Sequence, residues 1–248
     1  MRNDKDLMIT RFRAIKALGY VKSNRPHNTG IGKTFEDYVG VVENNLEAPD
    51  FAGFEIKSHR FASQSYVTLF TKAPSFPKGA NAFLKNEYGT PYDDDAGIKK
   101  LHTSMFADSA NTYKQTLSFR LIDDPEAKMI FIGVFDLNGN LIDKRVGYTY
   151  DVIEKALTKK LNNLFYVTAD VEVRNGVEYF HFNRADIYMN PSLDKFLNLL
   201  REGKIMYDIR IGSYKSGAKR GKPHDHGSGF RILEGDIRLL YDIHEVVE

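Results

Sequence analysis

No cysteine occurs in the 248 residues, and no apolar run approaches the ~20 residues that a membrane-spanning helix requires. The first absence excludes a disulfide scaffold, cysteine-ligated zinc and a thiol nucleophile, and it is compatible with a reducing cytoplasm. The second, with an N-terminus reading Met1-Arg2-Asn3-Asp4-Lys5-Asp6 in place of a signal-type apolar core, predicts a soluble cytoplasmic protein with no membrane partner. Net charge is scarce as well. A total of +2 is too little to announce a polyanionic partner, so the distribution of charge matters more than its sum. Internal repeats and low-complexity linkers are missing too. What the chain has in quantity is core-forming material: 42% hydrophobic residues, with 17 Phe and 14 Tyr, enough for one large domain or two lobes sharing a core.

The most telling stretch is Pro49-Asp50, followed after four residues by Glu55-Ile56-Lys57. The alternation in Phe54-Glu55-Ile56-Lys57-Ser58-His59 predicts a strand with Glu55, Lys57 and His59 on one face and Phe54 and Ile56 on the other. Gly53 supplies a turn just before it. If the chain reverses tightly between Phe51 and Phe54, Asp50 arrives beside Glu55 and two hard carboxylate oxygens converge on one cation. Hydrolysis of a phosphodiester adds negative charge to oxygens that are already anionic. A Mg²⁺ held by Asp50 and Glu55 would neutralise that charge and acidify a bound water. Lys57 points to the same side, where an amine orients the attacking water and offsets charge on the phosphorane. A solvated surface hairpin would use the same residue types. The literal Pro-Asp pair, the apolar alternation around Glu55, and Glu36 on a preceding helix-like segment from Lys33 to Val42 favour a site. Glu36 can reach the same cation or a second one, but a surface glutamate has the same signature, so it ranks below the other three.

Elsewhere the periodicity predicts an amphipathic helix over residues 6–19 with Gly19 as its stop, a loop from Asn24 to Gly32, and helices from Tyr150 to Phe165 and from Pro191 to Arg201. Gly32-Lys33-Thr34 ends like a phosphate-binding loop, but His27 stands where that loop needs its first glycine and no strand leads in, which excludes an ATP site. Strands are expected at Tyr66–Thr71, Thr116–Leu121 and Lys128–Phe135, contributing to a central mixed sheet. Hairpins are expected through Asn138-Gly139 and Asn175-Gly176. The polar stretch from Ala73 to Asn111 reads as a surface excursion, with Asp93-Asp94-Asp95 as an exposed acidic turn.

Charge collects near the C-terminus. Residues 201–231 hold eight Lys or Arg against three Asp or Glu, a balance of +5, which leaves the remainder net acidic. Two strand-like runs, Met206 to Ile211 and Phe230 to Leu233, flank a Gly-, Ser-, Lys- and His-rich loop, and a β-ribbon of this kind fits a DNA major groove. Arg210 and Arg231 have the fork to pair with guanine, Asp208 or Asp225 can accept from cytosine, and His224 and His226 can address either. Tyr214 and the lysines suit phosphates. A flexible solvated loop would share this composition. His224-Asp225-His226 has no third ligand nearby that would make it a metal site.

Pro49-Asp50, Glu55-x-Lys57, the upstream Glu36 and the basic hairpin ending Lys222-Pro223-His224-Asp225-His226-Gly227 together resemble the PD-(D/E)XK nucleases. More narrowly, the chain is similar over its whole length to the MvaI/BcnI restriction endonuclease group, related to the mismatch-repair nickase MutH. The resemblance implies an α/β (α+β) restriction-endonuclease-like fold, a central mixed β-sheet flanked by helices in two lobes around a DNA cleft. Residues 1–150 would be mainly catalytic and 151–248 mainly DNA-recognising, with an approximate boundary and segments that can be exchanged. It implies Mg²⁺ as cofactor, double-stranded DNA as partner, Asp50 and Glu55 as metal ligands, Lys57 as catalytic lysine and Glu36 as an accessory acid. Asp208, Arg210, Tyr214, Lys215, Lys219, Arg220, His224, Asp225, His226 and Arg231 would contact DNA.

It further implies a monomer with one active site that nicks one strand of a short pseudosymmetric site, CC(A/T)GG in the MvaI-like enzymes, then rebinds inverted to cut the other. A cognate DNA methyltransferase would share the site without binding the enzyme. The central pair tolerates inversion because the minor groove hardly distinguishes A·T from T·A; BcnI-like relatives accept G·C there. Two other functions stay open at this point: a MutH-like nickase that waits for partner proteins, and a DNA-binding protein whose carboxylates are structural.

Overall fold

A computed structural model describes residues 2–41, 50–61 and 65–247; Pro49, the first residue of the sequence motif, lies outside them. In chain order α1 (Arg2–Lys16), β1 (Val21–Lys22), α2 (Gly30–Val39) and β2 (Glu55–Arg60) come first. Then follow β3 (Tyr66–Thr71), α3 (Ala80–Tyr88), β4 (Thr90–Pro91), β5 (Lys99–Met105), β6 (Ser118–Asp124), β7 (Met129–Phe135) and β8 (Leu141–Thr149). Helix α4 (Tyr150–Lys160) leads to the long strands β9 (Asn163–Arg174) and β10 (Val177–Pro191). After them come α5 (Leu193–Arg201), β11 (Ile205–Ser213), β12 (Pro223–Asp225), β13 (Gly229–Leu233) and β14 (Tyr241–Val247).

These elements form two compact units interleaved in sequence: Met1–Ser65 with Ala156–Pro191 and Arg238–Glu248, and Tyr66–Lys155 with Ser192–Ile237. The exchange of segments is extensive. Residues 66–155 group with the basic hairpin and 156–191 with the carboxylates.

The first unit holds the mixed sheet, in the order β1-β10-β9-β2 with β14 also on β10. Among the described residues the β2–β9 pair alone is parallel within it. One face is apolar: Phe54 and Ile56, with Phe165, Val167 and Ala169 of β9 and Ala185 and Ile187 of β10, form a buried cluster with Met8, Phe12 and Ile15 of α1 and Ile31, Phe35 and Val39 of α2. Helix α2 ends where the sequence supplies a left-handed residue. Gly40, at φ 94°, closes α2 by donating its N–H to Glu36 and Asp37 carbonyls. The expected helix 150–165 stops at Lys160, because the β-branched and aromatic run Leu164 to Thr168 is taken up as strand between β2 and β10.

The second unit carries a six-stranded sheet, β3-β13-β11-β5-β4 with β12 on β11, and a three-stranded antiparallel sheet β6-β7-β8. The strands expected at Tyr66–Thr71, Thr116–Leu121 and Lys128–Phe135 are present, but they build these sheets and not the mixed one. Two further expectations are corrected. The stretch 73–111 is no surface excursion: it contains α3 and β5 and buries Leu84, Ile98, Leu101 and Met105. The basic hairpin is no free ribbon either, since β11 is paired on one side with β13 and on the other with β5.

The Phe165 ring lies at the centre of the first core, 5.8 Å from Phe12, 6.5 Å from Phe35 and 6.3 Å from Phe54. Replacing Phe165 by Ala should therefore cost roughly 3–5 kcal/mol. Denaturant unfolding measures this, and a cost under about 1 kcal/mol would mean that the core does not close beneath β2.

Candidate active site and DNA-binding surface

Asp50 reaches Glu55 through a two-residue turn. Phe51 and Phe54 exchange both backbone hydrogen bonds, 3.1 and 2.8 Å, across Ala52 (φ 47°) and Gly53 (φ 75°). Two consecutive left-handed residues make the tightest reversal a hairpin allows, and Gly is suited to one of them. The Asn163 amide donates to the Gly53 carbonyl at 3.1 Å, tying the turn to the start of β9. On the far side of the turn the Asp50 carboxylate accepts from the Ile56 N–H at 2.7 Å, which fixes it beside the first residues of β2.

Strand alternation then does what the sequence suggested. Phe54 and Ile56 are buried in the core, while Glu55, Lys57 and His59 turn to the other face, aligned with Leu164, Tyr166 and Thr168 of β9. The Lys57 ammonium donates to Glu55 Oε1 at 3.1 Å, and both side chains are at most one-fifth exposed. Burial, and after it the Glu55 charge, push the Asp50 carboxyl above the usual carboxylate range in spite of the Ile56 bond, Lys57 and Lys160. The same Glu55 charge adds to burial in raising the phenol of Tyr241, which is thereby held neutral.

This donor set fits a divalent cation. Two half-buried carboxylates repel each other, and Glu55 Oε2 is buried with no hydrogen-bond partner among the described residues. Hard anionic oxygens in that condition are what Mg²⁺ or a similar ion satisfies. Glu36 sits half-buried on α2. Among the described residues no group of three or more His, Asp or Glu converges for a metal, so the constellation consists of the Asp50–Glu55 pair with Lys57. Tyr166, opposite Lys57, and Tyr241 were not singled out by sequence; nothing in their local pattern marks them, because only the sheet register and the chain's return bring them to this face.

In the second unit one face of the six-stranded sheet is polar. His102 of β5 lies opposite Arg210 of β11, Ser104 opposite Asp208, and Thr68 of β3 opposite Arg231 of β13. The other face buries Leu101, Tyr207, Ile209, Ile211, Phe230 and Ile232. Asp208 is the hub, only 6% exposed. It accepts from Ser104 Oγ at 2.8 Å and from Arg210 Nε at 2.6 Å, and lies 3.0 Å from Arg231 Nε. Arg231 is further tied to Thr68 Oγ1 at 2.6 Å and to the Gly227 carbonyl, and its side chain is nearly covered, whereas Arg210 remains half-exposed. His102 is held below its ordinary pKa by burial and then by His226, so it is neutral and carries one donor and one acceptor nitrogen.

The loop after β11 is ordered by stacking. Tyr214 lies 4.4 Å from His224 with their rings nearly parallel, and His224 lies 4.3 Å from His226. Gly212 leaves room for these rings, since a Cβ would come within 2.7 Å of His226 Nε2 and 2.8 Å of the Tyr92 hydroxyl and would shift them. Asp225 is half-buried and shapes the turn: its Oδ1 accepts from the Gly227 and Ser228 N–H groups and its Oδ2 from Asn81. The acidic triplet is not a bare turn: Asp94 pairs with Lys215 at 2.7 Å and Asp95 with Arg220 at 2.8 Å. Lys219 lies over the Tyr214 ring. The sequence alone did not single out His102, Ser104 and Thr68; their trace is the placing of His102 and Ser104 between Leu101 and Met105, and of Thr68 between Val67 and Leu69.

Fold and sites together define a restriction endonuclease, a type II site-specific nuclease. The family model for the MvaI/BcnI restriction endonuclease family matches residues 9–241, and the chain belongs to that family. Among solved structures, that of restriction endonuclease MvaI in complex with its cognate DNA substrate is 34% identical, with 98% of each chain covered and a TM-score of 0.87. Restriction endonuclease MvaI in the absence of DNA is likewise 34% identical, covers 100% of this chain and 99% of its own, and gives a TM-score of 0.69. A search of curated protein sequences finds no match. Among the described residues no helix is long and apolar enough to cross a membrane.

The raised Asp50 carboxyl has a thermodynamic consequence. An acid that binds its proton more tightly folded than unfolded costs nothing below its ordinary value of 3.8, and its cost grows as pH climbs through the raised value. Asp50→Asn keeps an acceptor for Ile56 and removes the charge. With a chelator present at neutral pH, the variant should melt above the wild type, by roughly 2–4 °C for each ~1 kcal/mol relieved. Thermal melts at pH 4 and pH 8 check the sign: the difference should shrink at the lower pH, and a variant that melts lower at pH 8 would refute the repulsion.

Proposed function

We propose that the protein is a Mg²⁺-dependent enzyme that cuts double-stranded DNA as a monomer, at a short pseudosymmetric site of the CC(A/T)GG type, by nicking one strand and then the other. The observation that carries the chemistry is the forced proximity of Asp50 and Glu55 with the Lys57 ammonium 3.1 Å from Glu55. The target sequence is carried over from the MvaI-like enzymes on the strength of the 34% identity.

Asp50 and Glu55 would hold the metal, which when bound neutralises charge developing on the phosphate and lowers the pKa of water. Lys57 donates to the attacking water and to a non-bridging phosphate oxygen, where its charge offsets the gain of negative charge in the transition state. As the water oxygen bonds to phosphorus, the bond from phosphorus to the leaving sugar oxygen breaks; the attacking water's proton passes to solvent, and the departing sugar oxygen takes a proton from solvent. Neutral Tyr241 keeps a second negative charge away from Glu55. Glu36 is an accessory acid on α2.

For recognition, Arg210 is the guanine reader, since its guanidinium is half-exposed and aimed by Asp208, while Arg231 and Thr68 brace that carboxylate. His224, His226 and Tyr214 present further edges, and Lys215, Lys219 and Arg220 meet phosphates. One active site per chain is the basis for sequential nicking by a monomer.

Two experiments test this. Purified protein with plasmid and Mg²⁺ should yield discrete fragments whose sequenced ends share one site; Lys57→Ala should abolish cutting while duplex binding persists. Fragments that appear only after partner proteins are added would replace this proposal with an activated nickase, and no cutting at all would leave a binding protein. In binding titrations, Arg210→Ala should lose roughly 1–3 kcal/mol for the cognate duplex. Lys219→Ala should instead weaken all sequences alike and shallow the salt dependence by a slope of about 1.

A further inference from the structure

We propose that helix α3 positions the DNA-reading loop, gripping it at three points through Asn81 and Lys85. The inference rests on the recognition role proposed above for residues 210–226. The two side chains are four residues apart and so project from one side of the helix. Lys85 is only 3% exposed, and its ammonium donates to Ser213 Oγ at 2.9 Å and to the Gly221 carbonyl at 2.5 Å. Ser213 is where β11 ends and Gly221 is two residues before β12, so one cation closes the loop at both ends. Ser213 is itself fixed, its hydroxyl donating to the Lys99 carbonyl at 2.7 Å and its N–H to the Tyr92 hydroxyl at 3.1 Å. One turn earlier, Asn81 donates to Asp225 Oδ2 at 2.8 Å, and the other oxygen of that carboxylate shapes the turn through Gly227 and Ser228.

Between these grips lie Tyr214 and Lys219, and His224 adjoins Asp225. Their placement is therefore inherited from α3. Stability does not explain Lys85. No carboxylate pairs with it among the described residues, and an ammonium buried without a counter-charge is costly, whereas an apolar side chain of similar length would fill the space freely. Asn81 shows the same priority: its Oδ1 is buried without a partner among the described residues while its amide serves Asp225. A group kept in spite of its cost and directed wholly at the loop's backbone and turn is a preorganising device, because a reading surface must be held near its productive geometry before the ligand arrives.

The test uses full-length protein, the duplex that the wild type cuts, and the same duplex with one base pair changed. Affinities measured without cleavage, in Ca²⁺, should favour the cognate duplex by roughly tenfold or more for the wild type. Lys85→Met should reduce that preference to about twofold, leave affinity for the altered duplex unchanged, and melt at or above the wild-type temperature. Asn81→Ala, at a less buried position, should lower the preference in the same direction. Unchanged preference in both variants would overturn the inference, as would a loss of preference that only tracks a lower melting temperature. A wild type that cuts but does not discriminate would remove the recognition role and this inference with it, while leaving the catalytic assignment standing.

Discussion

The backbone holds two carboxylates together against their repulsion, and the proposed catalytic arrangement depends on that constraint. Asp50 and Glu55 cannot separate because Ala52 and Gly53 are both left-handed, Phe51 and Phe54 are bonded in both directions, and Asp50 is held by the Ile56 N–H. Residues on either side of Glu55 are anchored, with Phe54 3% and Ile56 5% exposed in the core beneath. A non-glycine residue at positive φ and a like-charge pair each cost stability, and they persist only where surrounding packing over-determines them. Here that packing is the aromatic cluster around Phe165. The cost has a use, since a site that is strained toward a cation gains from binding one.

The second unit solves a different problem with the same sheet geometry. Alternation gives β5, β11 and β13 an apolar face that supplies the core and a polar face that is left to do chemistry. A bare row of arginines on that face would repel. Asp208, buried between Arg210 and Arg231, removes the repulsion and sets the direction of both guanidiniums. A buried charge pair of this kind is weak evidence for stability but strong evidence for orientation, because leaving either partner alone would expose the full cost of burying the other.

Local chemistry was legible in the sequence wherever it was decided locally. The hairpin at 51–54, the facing of Glu55 and Lys57, the Asn175-Gly176 hairpin and the helix over 193–201 follow from turn residues and periodicity, and each was found close to its expected bounds. What escaped was decided by distant partners. The stretch 73–111 looked like a loop because β5 alternates polar with apolar residues and α3 carries a buried lysine, so its composition resembled a surface. Phe165 looked like the end of a helix because its neighbours Leu157 and Leu161 continue a helical spacing; pairing with β2 and β10 decided otherwise. Tyr241 and Tyr166 carry no local mark at all.

Charge illustrates the gap between composition and surface most clearly. The count of +5 over residues 201–231 suggested a cationic loop, yet Lys215 and Arg220 are matched by Asp94 and Asp95 from a segment more than a hundred residues earlier. These pairs are largely exposed and screened by salt, so each contributes little to stability. A phosphate can therefore displace either aspartate at little cost, and until it does the loop carries less net attraction for any polyanion than its lysines imply. Asp208 behaves oppositely, since a carboxylate that is 6% exposed between two guanidiniums cannot be traded for a phosphate without leaving it unpaired. On the proposed function, the exposed pairs set how strongly DNA of any sequence is held, and the buried hub sets which sequence is read.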